Sequence, residues 1–476
     1  MNARSISAGG DTLPFDGLSA SRRRAWYVVL MLMCAQIFSY IDRFLPSLML
    51  APIKADLGLT DFELGLMLGP AFGLFYVFIG VPIGWLADRY SRRALLATGI
   101  TIWCSMTAAA GFARSYIPLL ITRFGVGLGE ATVAPCSVSL ISDYFDRDRR
   151  PRAISLFMAG TFLGAGCAFL LGGPVVHWIG QLTPWVIPGF GEMRSWQMTF
   201  LIVGLPGFAL AALMFTIREP RRTEQVKREL QADGAGHAST RATLAYMHKR
   251  WAAFATLFVG SATVVTMGSL VFWNVALFGR TWGWEVREVG IATGVLFLTG
   301  GTIGTLMGIR LSNKWIAEGR RDATLRALWI GLLLAVPGFA LYPVMPSAPL
   351  AIASLLIAFI GQACAAAAGP VSLTYIAPGQ VRSQAIAIYY LVIGVFGQLL
   401  GPPPVGLMTD LFGDPGKLRY AMTIEAAVVG TMGVVLVRLG MNRYRRAAEE
   451  LAELVDAGST SPAQAWDRIA YVFQSP

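Results

Sequence analysis

Four charged residues fall inside runs that are otherwise apolar: Asp42 and Arg43 in 25–51, Arg123 and Glu130 in 115–141. A charged side chain at the centre of a bilayer costs about 2.5 kcal/mol or more, so it persists where it is paired, hydrated or functional. Arg123 and Glu130 are seven residues apart. Seven residues of helix turn through about 700°, so both project from nearly the same face, about 10 Å apart along the axis. Asp42 and Arg123 sit at similar depth, about 12–14 Å below the outer ends of their spans at 1.5 Å per residue. The four charges cancel, and a cancelled cluster is far cheaper in low dielectric than four separate ions. Moving an arginine away from a buried carboxyl lets that carboxyl take up a proton, which can couple proton movement to a conformational change.

The elements that must position these residues are membrane spans. The chain has 476 residues, 55% hydrophobic and 14% charged; soluble domains carry about 25% charged residues. About twelve runs have spanning length of about 20 residues: 25–51, 62–87, 94–113, 115–141, 153–178, 197–217, 250–279, 288–312, 324–344, 349–377, 384–411 and 418–440. Breaks are expected at Gly369-Pro370 in the tenth and at Pro402-Pro403-Pro404 in the eleventh. The fold class is therefore an all-α membrane protein of twelve transmembrane helices in two pseudo-symmetric six-helix bundles.

Five parts are expected: an N-terminal segment 1–24, a bundle 25–217, a linker 218–249, a second bundle 250–440 and a tail 441–476. From Arg443 the tail reads as a short amphipathic helix followed by a Ser/Thr/Pro-rich turn. The two halves echo each other, as in transporters built from repeats. Pro151-Arg152-Ala153-Ile154 after span four answers Ser383-Gln384-Ala385-Ile386 after span ten.

The net charge of +11 does not point to nucleic acid, because the basic residues are scattered between the spans. With the N-terminus in the cytoplasm, about 30 of them lie on the cytoplasmic side and about seven outside. The expected location is a bacterial inner membrane with both termini cytoplasmic. Arg22-Arg23-Arg24 before a first run of this length reads as an uncleaved anchor. Five cysteines, all within apolar runs and none in a CxxC, are free thiols, and three histidines without metal spacing give no metal site. No cofactor is expected. Gly125-Val126-Gly127-Leu128-Gly129 follows no strand and is no nucleotide loop, and no Walker A sequence occurs. No nucleophile–base pair supports an enzyme.

Gly84-Trp85-Leu86-Ala87-Asp88-Arg89-Tyr90-Ser91-Arg92-Arg93 resembles the loop signature of the major facilitator superfamily, with Ser91 where glycine is usual. Arg123 to Ala131 resembles the family's fourth-helix arginine motif. Tyr40-Ile41-Asp42-Arg43, Gly129-Glu130-Ala131 and Leu140-Ile141-Ser142-Asp143-Tyr144-Phe145 narrow the resemblance to the spinster branch. That branch is associated with export of lysophospholipids and sphingosine-1-phosphate, in several cases coupled to protons.

The resemblance implies that spans one and four face each other across a cavity. Asp42 can then pair with Arg123, while Arg43 can reach Glu130. Asp42 or Glu130 is the expected proton carrier, with Arg43, Arg123 and Tyr40 as charge partners or substrate contacts; a static cluster that fixes the helices is the alternative. Asp88, Arg89, Arg92 and Arg93 are expected to form a gating latch, weaker in the second half where Asn313 replaces the acid. Trp273, Asn274, Gln362, Tyr389, Tyr390 and Gln398 are candidate cavity-lining residues, and Glu425 is expected to reach the membrane interface. The glycines of span five, Gly160 to Gly166 and Gly172-Gly173-Pro174, read as close helix approach.

The implied partners are a small amphipathic, lysolipid-like substrate, protons and membrane lipid, with the protein a monomer. A drug or organic-anion transporter of the same fold is the second reading, and a non-transporting membrane sensor the third.

Overall fold

The computed structural model describes residues 21–146, 149–189, 191–220 and 240–457. Among the described residues, twelve helical units of spanning length follow in order. In the first half, α1 is Ser21–Leu48, α2 is Asp61–Leu68 resuming as Pro70–Arg89, and α3 is Arg92–Ala110. Next, α4 is Tyr116–Glu130 with Val133–Tyr144, α5 is Arg150–Gly180, and α6 is Ser195–Gly204 with Pro206–Met214. In the second half, α7 runs through Trp251–Ser269, a 3-10 turn Leu270–Trp273 and Asn274–Trp282; α8 is Val286–Ala317 and α9 is Ala323–Leu341. Finally, α10 is Ala348–Thr374, α11 is Gly379–Leu400 with Pro402–Leu411, and α12 is Leu418–Ala457. Eleven of these are both long and apolar enough to cross a bilayer. The exception, α3, carries Arg92, Arg93, Thr98, Thr101, Ser105 and Thr107, which dilute its apolar content.

Two expectations change. Pro370 lies inside an unbroken α10, so Gly369-Pro370 does not interrupt it; a membrane helix can absorb one lost backbone hydrogen bond. The expected short tail helix is instead the end of α12, one continuous helix of 40 residues. Tyr444 on this extension donates to the Ser372 carbonyl at 2.6 Å, and Arg250 pairs with Glu450 at 3.2 Å, so the extension is docked. Thr240–Lys249 forms a helix at the end of the linker. Residues 221–239, and the tail from 458 onward, lie outside the described residues.

In the first half α1 lies along α5, and α4 along α2 and α3. In the second, α10 lies along α8 and α9, and α12 along α7 and α9. The halves meet along α5–α8 and α2–α11. Glycines make these seams: Gly173 faces Gly290, Gly166 faces Leu298, Gly65 faces Pro402 and Gly73 receives the Gln398 side chain. The span-five glycines are thereby divided, since Gly160 and Gly164 lie on α1. The α11 break at Gly401 faces the α2 break at Gly69, where a Cβ would meet the Gln398 carbonyl.

These seams lie toward one end of the molecule. At the other, where α1 begins and α12 ends, Gly80 and Gly84 face open space, and Phe78, Trp85 and Tyr390 are exposed. A cleft between the bundles is therefore open at the end where α1 begins and α12 ends, and closed at the opposite end.

Candidate functional site

The glycines of α4 let charged neighbours approach. Gly127 abuts the Phe72 carbonyl of α2, and Gly129 abuts the Gly99 carbonyl and the Trp103 backbone of α3. Glu130 follows directly and is fully buried. Its Oε2 accepts from Arg43 Nη2 at 3.0 Å and from Ser39 Oγ at 2.6 Å. Ser39 and Arg43 are one helical turn apart on α1, so one face delivers both donors. The Arg43 guanidinium also lies 4.5 Å from the Phe72 ring centre, 4.7 Å from Tyr40 and 4.9 Å from Tyr76. These rings hold the cation while excluding water from one side of the pair.

Asp42 and Arg123 do not form the expected pair. Both are buried, at 3% and 2% exposure, yet no ion pair within 4.0 Å joins them. Arg123 instead lies over the Phe200 ring of α6, 5.1 Å from its centre. Its Nε and Nη2 have no hydrogen-bond acceptor, and Asp42 Oδ1 has no donor. The N-terminal core thus holds one closed ion pair, and two further opposite charges that are not in contact.

At the mouth of the cleft, Arg92 and Arg93 bind their own bundle. Arg92 donates through Nη1 to the Asp143 carboxylate and to Ser139 Oγ at 3.0 Å, and through Nε to Glu219 Oε1 at 2.9 Å. Glu219 also accepts the Ser91 hydroxyl at 2.9 Å and the Arg92 and Arg93 backbone N–H groups at 3.2 and 2.9 Å. It thereby caps α3 from the end of α6. Burial pushes the Glu219 carboxyl upward, but these donors outweigh it and hold it below the usual carboxylate range. Arg93 reaches the Ile217 carbonyl at 3.1 Å, and Arg89 stacks 3.7 Å over Trp85. Asp88 is in the last turn of α2, and its side chain lies outside the described residues. In the second half, Arg320 pairs with exposed Glu318 and Asp322 with Arg326, without a comparable network.

Of the candidate lining residues, Tyr390 is exposed and the others are packed. Trp273 is fully buried and donates to the Pro402 carbonyl at 3.3 Å. Asn274, also buried, accepts from Tyr342 Oη at 2.9 Å. Tyr389 lies 5.7 Å from Phe258 in the core, Gln362 packs on Gly268, and Gln398 fills the Gly73 notch. Trp273 and Asn274 thus use a polar atom in a helix-to-helix hydrogen bond, whereas Gln398 Oε1 has no partner. Glu425 does not reach an interface; it is 6% exposed with Oε1 unpartnered. Sequence reasoning also missed Ser39, Phe72, Tyr76 and Glu219. Ser39 was legible as the residue one turn before Arg43, and Glu219 as the lone acid of Arg218-Glu219-Pro220-Arg221-Arg222.

Two six-helix bundles around a one-ended cleft, with ionisable residues buried in the core of the first, define a multi-pass membrane transporter rather than an enzyme. The family profile described as the Major Facilitator Superfamily matches residues 32–315 and, in a second overlapping match, 257–471, so the chain belongs to that superfamily. Within it the chain is spinster-like. It is 26% identical to protein spinster homolog 1 of Xenopus tropicalis, over 87% of this chain and 80% of that one. It superposes on a bacterial homologue of the human lysosomal transporter spinster, in an inward-facing and unoccupied conformation, with a TM-score of 0.71. That match has 26% identity and covers 90% of this chain and 98% of the other. An MFS-type efflux pump of Mycolicibacterium smegmatis is 29% identical over 89% of this chain and 94% of its own. Bacterial sugar-acid transporters are related as well.

Proposed function

We propose that the protein is a secondary active transporter that moves an amphipathic anion, of the lysophospholipid or sphingolipid-like class, by proton-coupled alternating access. One observation carries this reading: Arg123 is buried in the first bundle with two guanidinium nitrogens unpartnered, while Asp42 is buried there with Oδ1 unpartnered and no ion pair. An unpaired buried charge is costly unless something neutralises it. Here an anionic headgroup satisfies Arg123 through its planar fork, and a proton satisfies Asp42. Glu130, already paired with Arg43 and Ser39, holds the cation in place. The apolar residues exposed along the cleft mouth, Phe78 and Trp85, suit an acyl chain. The resemblance of Tyr40 to Arg43 and Gly129 to Ala131 to the spinster branch, with its lysolipid association, supports a lipid substrate.

In this reading both termini face the cytoplasm of a bacterial inner membrane, the cleft is open inward, and the working unit is a monomer. Arg92 and Arg93 gate it by leaving Asp143 and Glu219 when the mouth closes. The relatedness to sugar-acid transporters favours a second reading, a proton-coupled transporter of a small organic anion.

Mass spectrometry of lipids copurifying with the protein, followed by vesicle transport at two pH values, tests the proposal. Bound lysolipid, and loss of pH-dependent transport in Asp42→Asn, are expected. Undiminished pH-dependent transport in both Asp42→Asn and Glu130→Gln removes the proton-coupling reading. Absence of bound lipid, with no competition by lysolipid against a fluorescent substrate, turns the assignment to the organic anion.

A further inference from the structure

The closed end is held by groups whose partners lie in the opposite bundle. The first four N–H groups at the start of a helix lack helical acceptors. At α2, two are satisfied locally: Thr60 N–H donates to Glu63 Oε2 at 2.9 Å, and Glu63 N–H to Thr60 Oγ1 at 3.1 Å. The other two are satisfied by α11. Asp61 N–H donates to Asp410 Oδ1 at 3.0 Å, and Phe62 N–H to Asp410 Oδ2 at 2.7 Å. Half of this helix cap is therefore removable.

The Asp61 side chain repeats the pattern. It is 1% exposed and takes a two-pronged contact from Arg280 of α7, at 2.9 and 2.8 Å. Lys54 Nζ lies 2.7 Å from the same carboxylate. Lys54 sits on the short helix Leu50–Leu57, next to α2 in sequence, so it stays with Asp61 when the bundles part. Arg280 keeps the Pro415 carbonyl, at 3.4 Å, on its own side. The other charged groups here do not compete. Asp56 is occupied by Arg194 and Trp196 within the first bundle, at 3.0 Å each. The pair His177–Glu285 crosses between α5 and α8 at 3.4 Å, but Glu285 is solvent-exposed and adds little.

We propose that Asp61, Arg280 and Asp410 form a reversible lock on the closed end, and that Lys54 is the stand-in partner that lets it open. Stripping a cation from a buried carboxylate without replacement is strongly unfavourable. Lys54 prevents that by neutralising Asp61 in the open state, while the Thr60–Glu63 box keeps half the helix cap. Asp61 thus keeps a cation in either state, and Arg280 keeps the Pro415 carbonyl. The lock rests on the transporter assignment alone and is independent of the substrate.

The test measures the distance between spin labels on Ser115 and Lys417, which are exposed at this end on opposite bundles. It uses the cysteine-free full chain in lipid nanodiscs. Arg280→Ala and Asp410→Ala are each expected to raise the open-to-closed ratio at this end by about tenfold, as for loss of a charge-assisted contact. Asp410→Asn, which still accepts from capping N–H groups, shifts it less than Asp410→Ala. Lys54→Ala moves the ratio the other way, because only the open state depends on Lys54 alone. Amide exchange over residues 58–68, in protein with its native cysteines, gives a second readout: faster in Asp410→Ala, slower in Lys54→Ala. A shift of Lys54→Ala in the same direction as Arg280→Ala, or no shift in Arg280→Ala, overturns the proposal.

Discussion

The two bundle cores are built from different materials. The first holds Asp42, Arg43, Arg123 and Glu130, with three aromatic rings around Arg43. The second holds Trp273, Tyr389 and the Asn274–Tyr342 hydrogen bond, with Glu425 as its buried acid. Both cores hold unpartnered polar atoms, Glu425 Oε1 among them, but only the first holds buried charges of both signs, with Asp42 Oδ1 and two Arg123 nitrogens lacking hydrogen bonds. Charge chemistry is thus concentrated on one side of the cleft, and the other side supplies a stiff wall against which it can rock.

Arg43→Ala presses hardest on that contrast. It leaves Glu130 buried with Ser39 as its donor, so a stability loss of about 3–5 kcal/mol is expected, together with loss of transport. Thermal unfolding in detergent and vesicle uptake check both. Asp42→Asn is expected to separate the two effects. No ion pair is broken, so stability should change by less than about 1 kcal/mol, while transport loses its pH dependence. Equal destabilisation by the two substitutions would mean that the first core is a single static network.

In the second core, Tyr342→Phe leaves buried Asn274 with an unmet acceptor. A cost of about 1–3 kcal/mol is expected, with transport retained in the same vesicles. A transport defect larger than the stability loss would put chemistry in the second bundle too. The smallest effect concerns the latch. The Glu219 carboxyl is held below its unfolded value, so its contribution is full above about pH 5 and fades as pH falls through the folded value. Because Glu219 is partly solvated, that contribution is under about 1 kcal/mol. Glu219→Gln should flatten this acid limb in a melting-temperature series between pH 3 and 6, values spanning the usual carboxylate range.

Sequence carried the fold well, because bilayer thickness imposes one length on every span and because most apolar runs are bounded by charge. It also carried the reach of Arg43 to Glu130, since helix geometry sets which face of each span a residue occupies. It did not carry whether Asp42 touches Arg123. That depends on the direction of a long flexible side chain, and here the face of Phe200 holds the guanidinium. Nor did it carry the lock, because Asp61 and Asp410 are 349 residues apart and each stands at the end of an apolar run, where a charge is unremarkable. Pro370 shows the converse: a strong local breaker is overruled when a membrane helix has neighbours on which to lean.

The unbroken α12 has a practical consequence. Its 40 residues span about 60 Å at 1.5 Å per residue, roughly twice the hydrocarbon thickness. The surplus is a rigid mast moored to its own bundle by Tyr444 and Glu450. A bulky helical protein grafted in phase onto Ala457 would inherit that bundle's orientation. It would give electron-microscope images a fiducial, and optical measurements a pointer whose swing amplifies a small rotation of the bundle beneath it.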